Sequence, residues 1–290
     1  MYRLDRCPLG HWELAQMRPQ ADLRGDVVRY AGYREHGWSI GNREVAGTII
    51  PLILCFGDPF RIRLGAAPPQ DHRSFLAGLY DGYADVASTG RAHCMQIDFT
   101  PLGAYRFFAM PMRELAAQTV TLDEVGAFDD LIDGLYHAPD WGTRFAQLDR
   151  FVRHRLAAAA PPPATMAWAW RQLVATDGLI RIGALAGEIG WSRKHLAERF
   201  AITVGATPKT VGRILRFGAA RRSIDAKAAG RVDWADLASA WGYADQAHLI
   251  REFHAMAGVT PVDYQRDIAG RFRALNGEVT NLQDSSSGPG

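Results

Sequence analysis

LAGEIGWSRKHLAERFAITVGATP, Leu185 to Pro208, and LASAWGYADQAHLIREFHAMAGVTP, Leu237 to Pro261, are two copies of one pattern. Leu185-Ala186 matches Leu237-Ala238, and Gly190-Trp191 matches Gly242-Tyr243. Further on, Leu196, Phe200, Gly205, Thr207 and Pro208 match Leu249, Phe253, Gly258, Thr260 and Pro261. The register slips by one residue at Ala244. Beyond the slip, Ser192 falls opposite Asp245, each a good helix N-cap placed eight positions before its Phe. A duplicated unit that keeps its helix start predicts, in each copy, a helix, a turn and a second helix.

Such a unit reads DNA by laying its second helix in the major groove, where a few side chains reach base edges. In the first copy Leu196 and Phe200, one turn apart, face the core and leave Arg193, Lys194, Ala197 and Glu198 outward. In the second, Leu249 and Phe253 face inward and leave Gln246, Ala247, Ile250 and Arg251 outward, with His248 at the margin. Gln246 suits adenine, Arg251 suits guanine, and Glu198 can accept from a cytosine amino group or simply face solvent. The expected base readers are therefore Arg193, Lys194, Glu198, Gln246, His248 and Arg251. His195 and His248 share one repeat position, where packing or capping competes with base contact. Ser192 is first a cap and can also meet phosphate.

Between the copies, Pro208 to Ala226 reads as one long helix with Val211, Ile214, Leu215, Ala219 and Ile224 on one side. Arg213, Arg216, Arg221 and Arg222 fall among the intervening positions. Arg213 and Arg216 are the expected phosphate contacts, against the alternative of a solvated basic helix.

In that order, LAGEIGWSRKHLAERF, GATP, RILRFGAARRSI and LASAWGYADQAHLIREF with GVTPVDY resemble the paired helix-turn-helix domain of the AraC/XylS family of bacterial transcription regulators, over Ile180 to Tyr264. Val211 stands where the family favours an aromatic, and Leu249 where Phe is common. Ala197 is a short residue on the exposed face of the first reader. The resemblance implies readers in successive major-groove segments on one face of the duplex, roughly 34 Å apart. Its expected partners are double-stranded DNA, a small-molecule effector, a second copy of the chain as homodimer and, for an activator, RNA polymerase. The first half would be the family's sensing and dimerisation part, and GRAHCMQIDFTPLGAYRFF (Gly90 to Phe108) is similar to N-terminal regions of some members. No effector-binding residue is legible.

The 290 residues are enough for two domains. A net charge of +2 means that DNA binding must come from a local patch. AAAAPPPA, 157–164, breaks the periodicity, because consecutive prolines cannot continue a helix. The expected division is a β-rich domain with C-terminal helices at 1–156, a linker at 157–164, a DNA-binding domain at 165–270 and a disordered tail at 271–290. The fold class expected is α+β: a β-rich barrel or sandwich with a helical layer, then an all-α domain of two helix-turn-helix units joined by a long helix. Thr48–Phe56 and Phe60–Leu64 read as strands joined by a tight turn, with further strands at Phe75–Tyr80 and His93–Phe99. Thr100-Pro101 starts a helix, and Asp123–Tyr136 and Asp140–Leu156 have helical spacing.

Other functions find no anchor. Cys7, Cys55 and Cys94 are far apart in sequence, with no metal or disulfide spacing, and suggest a reducing compartment. Some AraC/XylS relatives carry a DNA-repair methyltransferase, which needs four zinc-binding cysteines or a Pro-Cys-His-Arg motif, both missing here. His11, His36, His72, His93, His137 and His154 are scattered singly, unlike the grouped histidines of a metal-dependent cupin barrel. There is no Gly-rich phosphate loop and no nucleophile elbow. No catalytic residue, cofactor or metal is therefore expected. A ligand-independent DNA binder is the remaining alternative, although it has little use for a separate β-rich half. The start of the chain lacks an apolar signal core, and Thr48–Phe56 is too short to span a bilayer, so the expected location is the cytoplasm with no membrane partner.

Overall fold

The apolar run before Gly57 has no alternation because both of its faces are covered. Ile50, Leu52 and Leu54 join the large core shared with the helices, whereas Ile53 and Cys55 join a smaller core between two sheets. This is the logic of a central strand. The computed structural model describes residues 1–6, 11–37, 39, 41–227 and 230–267.

Among those residues the strands are β1 (Tyr2–Arg6), β2 (Trp12–Met17), β3 (Val27–Glu35), β4 (Gly41–Glu44), β5 (Ile50–Cys55) and β6 (Phe60–Leu64), then β7 (Gln70–His72), β8 (Phe75–Ala77), β9 (Ala84–Ala87), β10 (His93–Phe99) and β11 (Thr119–Thr121). They form a seven-stranded sheet in the order β1-β2-β3-β10-β5-β8-β11 and a four-stranded sheet in the order β4-β9-β6-β7. β10 lies antiparallel between β3 and β5, with Met95 opposite both Gly32 and Leu54. The expected strands at β5 and β6 are present, but they do not form a hairpin. The turn after β5 carries the chain from one sheet to the other, held by Gly57 N–H and Asp58 N–H donating to His93 O and Arg91 O. The alternating β6 buries only one face and so belongs to the smaller sheet.

The helical layer covers the opposite face of the large sheet. α1 (Pro101–Phe108) starts as expected, with Thr100 Oγ1 accepting from Gly103 N–H at 3.0 Å. The helix expected from Asp123 starts later: 122–124 form one short turn, the backbone leaves helical geometry at Gly126 (φ +150°), and α2 covers only Asp129–His137. α3 (Trp141–Ala157) buries Phe145, Leu148, Val152 and Leu156 on one stripe, and Asp140 caps it. Phe99, Phe107, Phe108 and Phe151 meet edge to face between sheet and helices, and Phe128 packs at a tilt against Phe108 and Phe151.

Residues 158–163 are not helical, and α4 (Ala164–Ala175) follows the prolines directly. Beyond it come α5 (Ile182–Ile189), α6 (Arg193–Val204), α7 (Pro208–Asp225), α8 (Trp234–Ala240) and α9 (Gln246–Ala257), with 261–267 helical again. The first unit, α5–α6, shares one continuous apolar core with the sheet and α1, in which Met112, Leu115, Phe200 and Val204 are all buried. The second unit packs with α7 around Phe217, Leu249, Phe253 and Met256 as a separate core. Cys7 and the tail expected at 271–290 lie outside the described residues.

Candidate nucleic-acid interface

The sequence repeat is also a backbone repeat. Gly190 (φ +75°) ends α5 and Gly242 (φ +69°) turns the chain after α8, while Gly205 (φ +93°) and Gly258 (φ +70°) end α6 and α9. These left-handed positions strain any residue with a Cβ, which is why glycine recurs at all of them. Ser192 Oγ accepts from His195 N–H at 3.1 Å, and Asp245 carboxylate from His248 N–H at 2.7 Å. Thr207 and Thr260 cap the next helices through Thr210 N–H and Asp263 N–H, both at 3.2 Å. The spacing from each reader to its neighbours is thereby fixed twice by the same local chemistry.

Leu196, Phe200, Leu249 and Phe253 are fully enclosed, as their one-turn spacing requires. Opposite them, Arg193, Lys194 and Glu198 are exposed on α6, and Gln246 and Arg251 on α9. The Arg193 guanidinium reaches back over Gly183 of α5. Ser192 is exposed at the start of α6. His248 is half-buried: its ring meets Tyr243 edge-on at 5.4 Å, and Nδ1 accepts from Ala244 N–H at 3.2 Å. His195 meets Trp191 the same way at 4.5 Å. Both histidines thus brace the turn of their unit.

The connecting-helix arginines stand apart from this exposed set. Arg213 makes a two-pronged pair with Glu252 of α9, Nε at 2.8 Å and Nη2 at 2.9 Å, and Nη1 reaches Asp81 of the β-rich half at 3.1 Å. The Glu252 carboxylate holds the Arg213 pKa above its usual range. Arg216 Nη1 donates to Gly178 O at 3.1 Å, and its buried Nε has no protein partner. Arg222 pairs with Asp177 at 2.6 Å. Arg199, which was not among the expected readers, is exposed beside them on α6. Its repeat equivalent is Glu252, so one copy spends that position on solvent and the other on the Arg213 pair.

The β-rich half holds an open cleft of about 520 Å³ between α2 and the β5–β8 edge, lined by Cys55, Phe56, Arg73, Leu122, Ile132 and Tyr136 among others. Among the described residues no three His, Cys, Asp or Glu side chains gather as a metal site, and no helix is long and apolar enough to cross a membrane.

Residues 185–267 match the family model described as "Helix-turn-helix domain", and 15–121 match one described as "Domain of unknown function (DUF6597)". The class the second half belongs to is that of helix-turn-helix domains, a fold that binds DNA. The chain thus carries two helix-turn-helix units behind a β-rich half. Similar solved structures include ToxT from Vibrio cholerae, at 10% identity and TM-score 0.40 over 79% of this chain and 97% of that one. The AraC-like transcriptional activator CuxR aligns at 13% identity and TM-score 0.36, over 75% and 86%. The C-terminal domain of AraT, a response regulator from Geobacillus stearothermophilus, aligns at 15% identity and TM-score 0.33, over 37% and 88%. No curated protein matches the chain in sequence.

Proposed function

We propose that the chain is a transcription regulator that recognises its DNA sequence through α6 and α9 together, each lying in one of two successive major-groove segments. The observation that carries this reading is the doubled arrangement of cap, buried Leu-Phe pair and exposed polar face. Arg193, Lys194, Glu198, Gln246 and Arg251 read bases, His248 supports the second reader, and Ser192 meets phosphate. Arg213 and Arg216 act on the phosphate backbone, and Arg213 does so only after loosening its hold on Asp81.

The reading divides the chain at 157–164, with 1–156 controlling the DNA-binding part, 165–270, through self-association and a small-molecule effector. It places the regulator in the cytoplasm, acting through RNA polymerase where it activates, and gives it no catalytic step. The test is selection of bound DNA from a random pool by the full chain, followed by binding to the selected and scrambled sites over a range of salt. A regulator of this kind prefers the selected site and shows a falling salt dependence on both DNAs. Equal affinity for both DNAs would overturn the reading.

A further inference from the structure

Strands β5 and β10 place Cys55 directly opposite Cys94, although the two are far apart in sequence. The next pair along, Phe56 and His93, is a hydrogen-bonded one, since Phe56 N–H donates to His93 O at 2.9 Å. Alternation along an antiparallel ladder then makes Cys55 and Cys94 a non-hydrogen-bonded pair. In agreement, Cys55 N–H points the other way, to Ser74 Oγ at 2.9 Å. Such pairs hold their Cα atoms about 4.5 Å apart with both side chains on one face, inside the range that a disulfide spans. Both thiols are free, and both belong to the small core between the sheets, beside Ile53, Ile62 and Phe75.

Both cysteines are buried, and of the two it is Cys55 that lines the cleft. Cys94 is enclosed, and burial pushes its thiol well above the usual range. Cys55 is also raised, by burial and by the Asp58 charge, and its Sγ donates to Asp58 O at 3.3 Å, but it borders the open cleft, and backbone N–H groups of Gly57 and His93 and the Arg73 charge pull its thiol back toward the thiolate. We propose that Cys55 and Cys94 form an oxidation site of the β-rich half, in which Cys55 meets a peroxide entering from the cleft and Cys94 resolves it. In the first step the Cys55 thiolate attacks one oxygen of hydrogen peroxide, the O–O bond breaks, and sulfenic acid and hydroxide result. In the second, the Cys94 sulfur attacks the sulfenic sulfur, the S–S bond forms, and the oxygen leaves as water. Two thiols lose two electrons and two protons, and one peroxide becomes two waters. The product ties two central strands of the large sheet together behind the cleft wall.

The experiment treats the full chain with hydrogen peroxide, alkylates the remaining thiols in denaturant and maps the peptides without reductant. The expected result is joint loss of the Cys55 and Cys94 thiols in one linked peptide pair, reversed by dithiothreitol. Cys94→Ala should leave Cys55 as a sulfenic acid that dimedone traps, and Cys55→Ala should leave Cys94 as a thiol. In the unmodified sequence, iodoacetamide should label Cys55 before Cys94, a readout independent of whether either variant folds. A disulfide to Cys7, overoxidation of Cys55 with Cys94 still a thiol, or equal labelling of the two would overturn the proposal.

Discussion

Arg251 and Arg213 are both arginines of the DNA-binding part, and their surroundings assign them opposite work. Arg251 is exposed with no ion pair among the described residues, whereas Arg213 is spoken for by Glu252 and Asp81. Arg251→Ala should cost about 1 to 3 kcal/mol on the best site and relax preference at one position, while changing affinity for scrambled DNA much less. Binding of both DNAs by the variant, after circular dichroism confirms its fold, decides the point. Asp81→Asn should free one prong of Arg213 and steepen the salt dependence of binding to any DNA, by about one unit of slope if one phosphate contact is gained. An unchanged slope would mean that Arg213 stays on Glu252. The cation was legible in the sequence. Its partners were not, because they lie 39 and 132 residues away and no local spacing announces them.

His93 is a second residue whose setting only the fold shows. It packs edge-on against Phe56 and Trp141, its Nε2 lacks a protein partner, and burial with the nearby Arg144, Arg34 and His36 charges lowers its pKa to about 4 despite Glu13. A histidine held neutral in the fold and free to protonate near 6.5 when unfolded gives full stability above about pH 6.5, lost as the pH falls toward 4. The loss should be on the order of 1 to 3 kcal/mol after allowance for solvent screening. Urea midpoints at pH 7 and pH 5 should show it, and His93→Phe should flatten that part of the profile. An equal slope in the variant would place the effect elsewhere.

Helix starts were the most legible elements, because a cap is a local signal. Ser192, Asp245, Thr100 and Asp140 all accept from the N–H three positions on. Asp245→Ala should lower stability by about 1 kcal/mol, read as a drop in melting temperature, with a similar loss for Ser192→Ala. No change in either would remove the caps from the account of reader placement. Strand pairing was far less legible. β4, β7, β9 and β11 are three or four residues long, too short to display a period, and the β5–β6 turn looks like a hairpin turn although it joins two sheets. Cys55 and Cys94 were separated in the sequence argument for the same reason: register is a property of the pair of strands, not of either strand alone.

At the scale of the molecule, the first unit is bound into the core of the β-rich half, and the second has a core of its own that meets that half at Val45 and Ala46. Gly205 at the end of α6 lies beside Met112, and Arg43 donates to Gly258 O at 3.3 Å at the end of α9. Both readers therefore finish against the β-rich half, which gives that half a physical hold on their positions. Composition and periodicity pointed to two halves separated by prolines and carried no signal of this contact, which is built from residues distant in sequence. A fragment from about Ala164 to Gly270 should melt below the full chain, because Phe200 and Val204 lose apolar neighbours, while still binding DNA with a salt slope.

The central claim is that the two copies read DNA together. Hydroxyl-radical and methylation footprints of the full chain on its selected site test it directly. The expected result is two protected major-groove segments on one face, centred about one helical turn or roughly 34 Å apart, with Arg251→Ala weakening protection and base preference in one segment only. A single protected segment, or equal loss of protection in both, would contradict it.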